Sequence, residues 1–229
     1  MNKILVLGLG KFGHRLITEL ASREGVRIFA VDKNEKARQA AAKYVHDCFG
    51  ANLDHPESLG RILEKTGPID TAVLGMGGSM SATTLTALHL RQRGVGRIFI
   101  KAEDEQHAEV LRAIDRGMEG PNAFRITIPE IDQAAQIAGR VATDLVKQEV
   151  PLGDNWGLAE LACPNRLCEK TLGELEVRQR YQLTIIGWRE SEDSPLQHAT
   201  ADTTLPVGCE ITAVGEKKDI ARFVAEFGS

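Results

Sequence analysis

Long apolar stretches are missing from this 229-residue sequence. No run approaches the roughly 18–20 consecutive apolar residues that a membrane-spanning helix requires. The aliphatic run over residues 4–10 is interrupted by Lys11, and no small-residue cleavage site follows it, which argues against a signal peptide. We therefore expect a protein that stays in the cytoplasm.

An excess of positive charge is also missing. The formal net charge is -4 and the isoelectric point is about 5.9, so the chain has no general attraction to a phosphate backbone, and nucleic acid is not an expected partner. Hydrophobic residues make up 42% of the chain and charged residues 26%, proportions typical of a soluble globular protein. For a chain of this length we expect two unequal domains.

Cysteine is scarce, and its spacing does not indicate a metal site. Cys48, Cys163, Cys168 and Cys209 include no pair with the two-residue gap of a zinc knuckle or a redox motif, so we expect reduced, mostly buried thiols. A catalytic constellation is missing as well. In the second half of the chain, His198 lies in a polar stretch typical of a loop, and no ligand-spaced set of His, Cys and Asp stands out. The sequence therefore favours binding over catalysis.

The sequence does contain a regular alternation of strand and helix patterns. Residues 3–8 form an aliphatic run of the kind that fills a buried parallel strand. A helix is predicted over residues 12–20 and a second strand over 26–31, after which Asn34 is placed to cap another helix. Later strands are predicted over residues 70–76, 97–100 and 124–128, with a helix over 79–93. The order predicts an α/β domain over residues 1–128, built on a Rossmann-like doubly wound parallel sheet.

The pattern changes after residue 128. Apolar residues at helical spacing over residues 130–146 predict an amphipathic helix with no further strand after it, a crossover or dimer helix within residues 129–150. Pro151 and Gly153 then break the pattern. Short strands are predicted over residues 158–162, 183–188 and 210–214, with helical stretches over 172–180 and 218–227. Residues 151–229 are expected to form a small α+β domain.

A glycine loop follows the first predicted strand. Gly8, Gly10 and Gly13 form a G-x-G-x-x-G motif that opens a helix, where free backbone amides bind phosphate. Asp32 ends the second strand about 20 residues on, where a carboxylate accepts hydrogen bonds from ribose hydroxyls and disfavours the 2′-phosphate of NADP. Lys11 adds a cation beside the phosphate position, which favours ADP or ATP; the alternative is a lysine that only faces solvent. The motif predicts a nucleotide-binding site.

A second glycine cluster strengthens this prediction. Gly75, Met76 and Gly77 follow the strand predicted over residues 70–76, and ligands of open α/β sheets bind at the carboxyl ends of strands. We therefore expect the ligand to extend from the first glycine loop, past Asp32, to residues 75–79.

These residues resemble a known family. The chain is similar over nearly its whole length to the TrkA and KtrA proteins, the RCK-type gating subunits of bacterial potassium transporters. The shared features are the glycine loop with its Lys11-Phe12 pair, residues 30–34, 50–52, 75–79 and 100–102, and, further on, residues 172–175, 181–188 and 205–208. The resemblance implies an RCK N-terminal domain followed by a TrkA-C-like domain.

Motifs and resemblance together predict a set of nucleotide-binding residues. They are Gly8, Gly10, Lys11, Phe12, Gly13, Asp32, Lys33, Asn52, Leu53, Gly75, Met76, Gly77, Lys101 and Glu130. The resemblance places Glu130 near the nucleotide phosphates or a divalent cation at a dimer interface. Three residues depart from the family pattern: Asn52 and Cys209 replace frequent aspartates, and Lys11 stands where arginine is common.

The function implied by the resemblance is regulatory. It predicts a non-enzymatic cytoplasmic subunit, peripheral to the inner face of the membrane, that binds ADP/ATP or NAD(H) and gates a membrane-embedded potassium transporter subunit. The resemblance also implies a homo-oligomer, a ring assembled from dimers. Two alternatives stay open, a small NAD-dependent oxidoreductase and a nucleotide-binding dimer without a membrane partner.

Overall fold

The computed structural model describes residues 1–53, 55–116, 120, 123–153 and 155–228. The chain divides into two compact units, Met1–Pro129 and Glu130–Ser229. Within the described residues, no helix is long and apolar enough to cross a membrane.

The first unit contains a six-stranded, all-parallel sheet in the order β3-β2-β1-β4-β5-β6. Its strands are β1 (Asn2–Leu7), β2 (Val26–Val31), β3 (Asp47–Phe49), β4 (Thr71–Leu74), β5 (Arg97–Lys101) and β6 (Arg125–Thr127), and its helices are α1 (Lys11–Ala21), α2 (Glu35–Ala41), α3 (Pro56–Thr66), α4 (Met80–Gln92) and α5 (Glu105–Ile114). This strand order is that of the Rossmann fold, so the predicted doubly wound sheet is confirmed.

Both faces of this sheet are buried, which explains the continuous aliphatic runs of its central strands. Along β1, Leu5 and Leu7 face one core cluster with buried residues of α3, α4 and α5, while Ile4 and Val6 face a second cluster with Ile17 of α1. Since successive side chains of a strand point to opposite faces, a strand covered on both sides needs apolar residues throughout.

Polar caps set the beginnings of three helices in the first unit. The Asn34 side chain accepts the N–H groups of Lys36 (2.9 Å) and Ala37 (3.3 Å), as the sequence predicted for α2. Ser79 caps α4 through Ala82 N–H, and Asp104 caps α5 through the N–H three residues later. The carboxyl ends of β2, β4 and β5 thus pass directly into capped helices.

The second unit contains a five-stranded antiparallel sheet in the order β10-β9-β11-β8-β7. Its strands are β7 (Val146–Pro151), β8 (Trp156–Ala162), β9 (Thr184–Arg189), β10 (Gln197–His198) and β11 (Glu210–Glu216), and its helices are α6 (Pro129–Ala142), which begins at the unit boundary, α7 (Leu172–Leu175), α8 (Val177–Tyr181) and α9 (Lys217–Phe227). One face packs on α9, with Leu161, Ile211 and Phe223 at its centre. This agrees with the predicted small α+β domain.

The segment between the predicted domains differs from the prediction. The helix predicted over residues 130–146 ends at Ala142, and Val146 begins β7, in register with Leu161 of β8. Residues 146–150 therefore belong to the antiparallel sheet and not to a crossover helix over residues 129–150. Leu145 and Val146 fit a helical stripe by spacing, but both are buried in the core of the second unit, and burial decided their conformation.

Two smaller findings complete the second unit. The helix predicted over residues 172–180 is two short helices, α7 and α8, because Glu176 adopts a left-handed conformation with φ of 48° between them. Cys163, Cys168 and Cys209 are free and buried, which confirms the expected buried thiols.

Candidate functional site

A cleft of about 650 Å³ lies at the carboxyl ends of neighbouring strands of the parallel sheet. Its walls are the turns that follow β3, β2, β1 and β4, which are adjacent in this order in the sheet. Its described lining residues are Gly8, Gly10, Asp32, Lys33, Ala51, Asn52, Leu53, Gly75, Met76, Gly77, Gly78, Ser79, Ser81 and Ala82. The cleft therefore occupies the edge where open α/β sheets bind ligands.

The three glycines of the first loop are needed for different physical reasons. Gly8 has φ of 91°, and a Cβ there would lie 2.7 Å from the backbone N of Met76. A Cβ on Gly13 would lie 1.9 Å from the carbonyl O of Gly8, so this glycine lets α1 approach the loop. At Gly10, by contrast, no described atom lies within 4 Å of the Cβ position. The space over Gly10 is free for a ligand.

The N-terminus of α1 faces this free space and has no side-chain cap. Gly10 is its N-cap and supplies no side-chain hydrogen bond, and the first turn contains no acidic residue. The first amides of a helix lack intrahelical acceptors, and the helix dipole makes this end positive. An anion over Gly10 would satisfy both features.

Asp32 connects two turns of the cleft. Its carboxylate accepts the N–H of Leu9 at 2.6 Å and the N–H of Asn34 at 2.7 Å. The side chain predicted to hold ribose therefore also holds the glycine loop beside the β2 end. An ionised carboxylate has about four acceptor positions, so two backbone bonds leave room for a ribose hydroxyl.

Arg38 of α2 stabilises the same turn, and sequence reasoning missed it. Its guanidinium donates to the carbonyl oxygens of Asp32 (3.0 Å) and Lys33 (2.9 Å) and lies beside Gly50. Burial raises the pKa of the nearby Cys48 thiol, an effect that the Arg38 charge opposes. A sequence signal was the position of Arg38 one helical turn after the Asn34 cap, close to the end of β2.

The turn after β4 forms the opposite wall. A Cβ on Gly75 would lie 3.1 Å from the Phe12 ring, whereas at Gly77 and Gly78 no described atom lies within 4 Å of the Cβ position. The backbone N–H of Gly78 donates to the carboxylate of Glu103, a residue that sequence reasoning also missed. No local spacing pattern connects positions 25 residues apart; only the adjacency of β4 and β5 does.

The structure brings most of the predicted nucleotide-binding residues together. Those that line the cleft are Gly8, Gly10, Asp32, Lys33, Asn52, Leu53, Gly75, Met76 and Gly77. Their role in binding stays a prediction, but their proximity is a structural fact.

The other predicted residues do not line the cleft. Lys11 is exposed at the start of α1, Phe12 packs on the sheet, and Gly13 lies against the Gly8 carbonyl. Lys101 lines a separate apolar groove shared with Phe12. Glu130 belongs to the second unit, so its predicted place near the phosphates or a divalent cation stays a prediction. Among the described residues, no group of three or more His, Cys, Asp or Glu side chains is arranged to hold a metal ion.

Comparison with known proteins follows the same two-part division. The TrkA-N domain model matches residues 4–117, and the TrkA-C domain model matches residues 159–228. Solved structures of similar fold include the GsuK channel, with a TM-score of 0.65 and 20% identity, and the GsuK channel bound to NAD, with a TM-score of 0.61 and 20% identity. Each match covers 100% of this chain and 40% of the channel chain, so this chain spans less than half of those proteins.

Relatives of similar length are found among bacterial potassium uptake proteins. The chain is 31% identical to the Ktr system potassium uptake protein A of Bacillus subtilis (strain 168), over 96% of this chain and 95% of that protein. It is 29% identical to the protein of the same name from Vibrio alginolyticus, over 94% of this chain and 93% of that protein. With both domain models matched in order and a relative of this similarity along its length, the chain belongs to the family of TrkA-N and TrkA-C domain proteins that includes the Ktr potassium uptake proteins.

Proposed function

We propose that this chain is a regulatory subunit that binds an adenine nucleotide, ADP/ATP or NAD(H), in the cleft and thereby gates a separately encoded potassium-transporting membrane protein. The observation that carries the proposal is the free space over Gly10, where the uncapped N-terminus of α1 meets the Asp32 carboxylate. The names of the similar full-length proteins support the link to potassium uptake.

The cleft geometry supports one orientation of the nucleotide. The adenosine lies toward the β3 end, between Asn52 and Leu53, and its ribose hydroxyls reach Asp32. The phosphates then lie over Gly10, with Lys11 free to extend toward them from α1. Whatever follows the phosphates extends toward residues 75–79. Asp32 repels a 2′-phosphate, so NAD is favoured over NADP.

Regulation requires a difference between two conformations. A ligand shifts an equilibrium only by its differential affinity for the two states, so gating needs a pair such as ATP and ADP, or NADH and NAD, that the states bind unequally. The subunit itself is proposed to work by binding alone, from the cytoplasmic face of the membrane, and to perform no turnover.

Assembly into a dimer-based ring belongs to the same proposal. On α6, Ile131, Ile137 and Val141 are 47%, 55% and 80% exposed. Exposed aliphatic residues at this spacing on one helix favour contact with a second copy. Light scattering at micromolar concentration, with and without nucleotide, tests this part; a monomer under both conditions contradicts it.

The first experiment is a thermal-shift screen of the purified chain with ADP, ATP, NAD and NADH. A ligand at 100 times its dissociation constant stabilises the native state by about 2.7 kcal/mol, so a true ligand raises the melting temperature clearly. No shift with any of the four would contradict the binding site. Oxidation of a hydroxy substrate with NAD would instead favour an oxidoreductase.

The second experiment connects binding to transport. In a strain that lacks this protein, potassium uptake should lose its dependence on nucleotide, and the wild-type gene should restore that dependence. Gly10→Ala is the better variant for this test because Asp32 also holds Leu9 and Asn34, so Asp32→Ala changes the loop as well as the ribose contact. Unchanged nucleotide-dependent uptake in the deletion strain would contradict the regulatory role.

A further inference from the structure

Glu103 does not line the cleft itself, but it is hydrogen-bonded to a residue that does. Because β4 and β5 are parallel neighbours, the turns at their carboxyl ends lie side by side. The Glu103 carboxylate in the second of these turns accepts the backbone N–H of Gly78, which lines the cleft. One amide of the β4 turn is therefore already bonded to an anion that belongs to the protein.

The main chain at Glu103 is held in place by a hydrogen bond to α5. Its N–H donates to Nδ1 of His107 at 3.3 Å, and the His107 side chain is fully buried. The N–H of His107 in turn donates to the Asp104 carboxylate, the N-cap of α5, at 2.8 Å. The Glu103 carboxylate thus extends from a fixed turn toward the cleft.

The charges around the cleft are distributed unevenly. Of its described lining residues, the ionisable ones are Asp32 and Lys33, and both follow β2. Strands β1 and β4 separate β2 from β5 in the sheet, so Glu103 adds a negative charge at the far end. In the proposed orientation, the ribose is held at Asp32 and the first phosphate lies over Gly10. The remaining groups of the ligand then extend toward Glu103.

We infer that Glu103 determines how much phosphate charge the cleft accepts, an inference that rests on the proposed nucleotide site. A second or third phosphate would approach the N–H of Gly78, which already donates to the Glu103 carboxylate, and that carboxylate would repel it. The cleft therefore favours ligands whose far half carries little negative charge, such as a dinucleotide, over a nucleoside triphosphate without its metal ion. At a separation of about 4 Å and with the dielectric screening of bulk water, the repulsion corresponds to about fivefold in affinity for each added charge.

The test compares AMP, ADP and ATP in magnesium-free buffer by calorimetry, with NAD as the dinucleotide. This series changes the phosphate charge and keeps the adenosine constant. Glu103→Gln keeps an oxygen that can accept the Gly78 N–H, removes the charge, and places an NH2 group where the second carboxylate oxygen was. Glu109→Gln is the matched control because it removes the same charge from an exposed position further along α5.

Glu103→Gln should strengthen ATP binding at least threefold more than AMP binding, and the difference should shrink as ionic strength rises. Glu109→Gln should leave the ratio of the two affinities unchanged. A purely structural role for Glu103 predicts instead an equal change, or an equal loss, for all four ligands, and that result would overturn the inference. If the wild-type chain binds none of them, the nucleotide site itself is wrong and the inference falls with it; if it binds and the ratio stays constant in Glu103→Gln, only the inference falls.

Discussion

The two glycine-rich turns of the cleft, which follow the neighbouring strands β1 and β4, need glycine for different reasons. In the turn after β1, Gly8 and Gly13 are required by the protein itself, because a Cβ at either position would overlap backbone atoms. In the turn after β4, Gly77 meets no described atom within 4 Å of the Cβ position, Gly78 adopts a left-handed conformation with φ of 88°, and the Glu103 carboxylate accepts the Gly78 N–H. Both turns are rich in glycine, but the first depends on close backbone packing and the second is held by a side chain from another segment.

The difference separates folding from binding. Glycines under the first loop are part of the packing of α1 on the sheet, so changing them should affect stability first. Gly10 in the same loop resembles Gly77 of the second turn, since no described atom lies within 4 Å of the Cβ position at either residue. Three variants, Gly13→Ala, Asp32→Ala and Ser79→Ala, test this distinction and are expected to destabilise the fold in that order.

Gly13→Ala should be the most damaging. Its Cβ would lie 1.9 Å from the Gly8 carbonyl O, and neither backbone segment can move without shifting α1 or β1. We expect the free energy of unfolding to fall by about 3 kcal/mol, the upper range for overpacked interiors. Urea denaturation followed by circular dichroism measures it. Gly77→Ala is the control and should change stability by less than about 0.5 kcal/mol; a similar loss in both variants would remove the distinction.

Asp32→Ala should have an intermediate effect. It removes the acceptor for the N–H groups of Leu9 and Asn34, and hydrogen bonds to a charged group contribute about 1.5–3 kcal/mol each when buried. Because Asp32 is partly exposed and water can replace the lost bonds, we expect about 2 kcal/mol in total. Asp32→Asn keeps one acceptor oxygen and should lose about half as much. Equal stability of wild type and Asp32→Ala in urea would show that the carboxylate does not hold the loop.

Among the variants expected to destabilise the fold, Ser79→Ala should have the smallest effect. The Ser79 hydroxyl accepts the Ala82 N–H at 3.2 Å at the start of α4, and loss of such a cap costs about 1 kcal/mol. The effect belongs to the second turn and should add to that of Asp32→Ala, because the two residues share no hydrogen-bond partner in the described part of the chain. A double variant measured in urea tests this, and strong non-additivity would indicate that the two turns form one unit.

Much of the first unit could be predicted from the sequence because local patterns there agree with the fold. Aliphatic runs marked β1, β2 and β4, and Asn34 marked the start of α2. Strand β3 was not predicted because it has only three residues and begins with Asp47. Strand β7 was not predicted because Leu145 and Val146 continue a helical spacing, although the helix ends in the structure at Ala142.

The site was predictable to the extent that it consists of backbone turns. Glycine spacing and the acidic residue at the end of β2 located the cleft. The side chains that hold those turns, Arg38 and Glu103, were not predictable, because each bonds to main-chain atoms of another segment. Such contacts depend on which strands are neighbours in the sheet, and residue spacing along the chain does not encode them.

Calorimetric titration of Gly10→Ala tests whether the space over Gly10 is a phosphate site. Gly10 has φ of -64°, which alanine adopts without strain, and its Cβ would touch no described atom. The variant should therefore keep the stability of the wild type within about 0.5 kcal/mol and lose about tenfold or more in affinity for the nucleotide that the thermal-shift screen identifies. Wild-type affinity in a folded Gly10→Ala protein would show that the phosphates do not lie over Gly10.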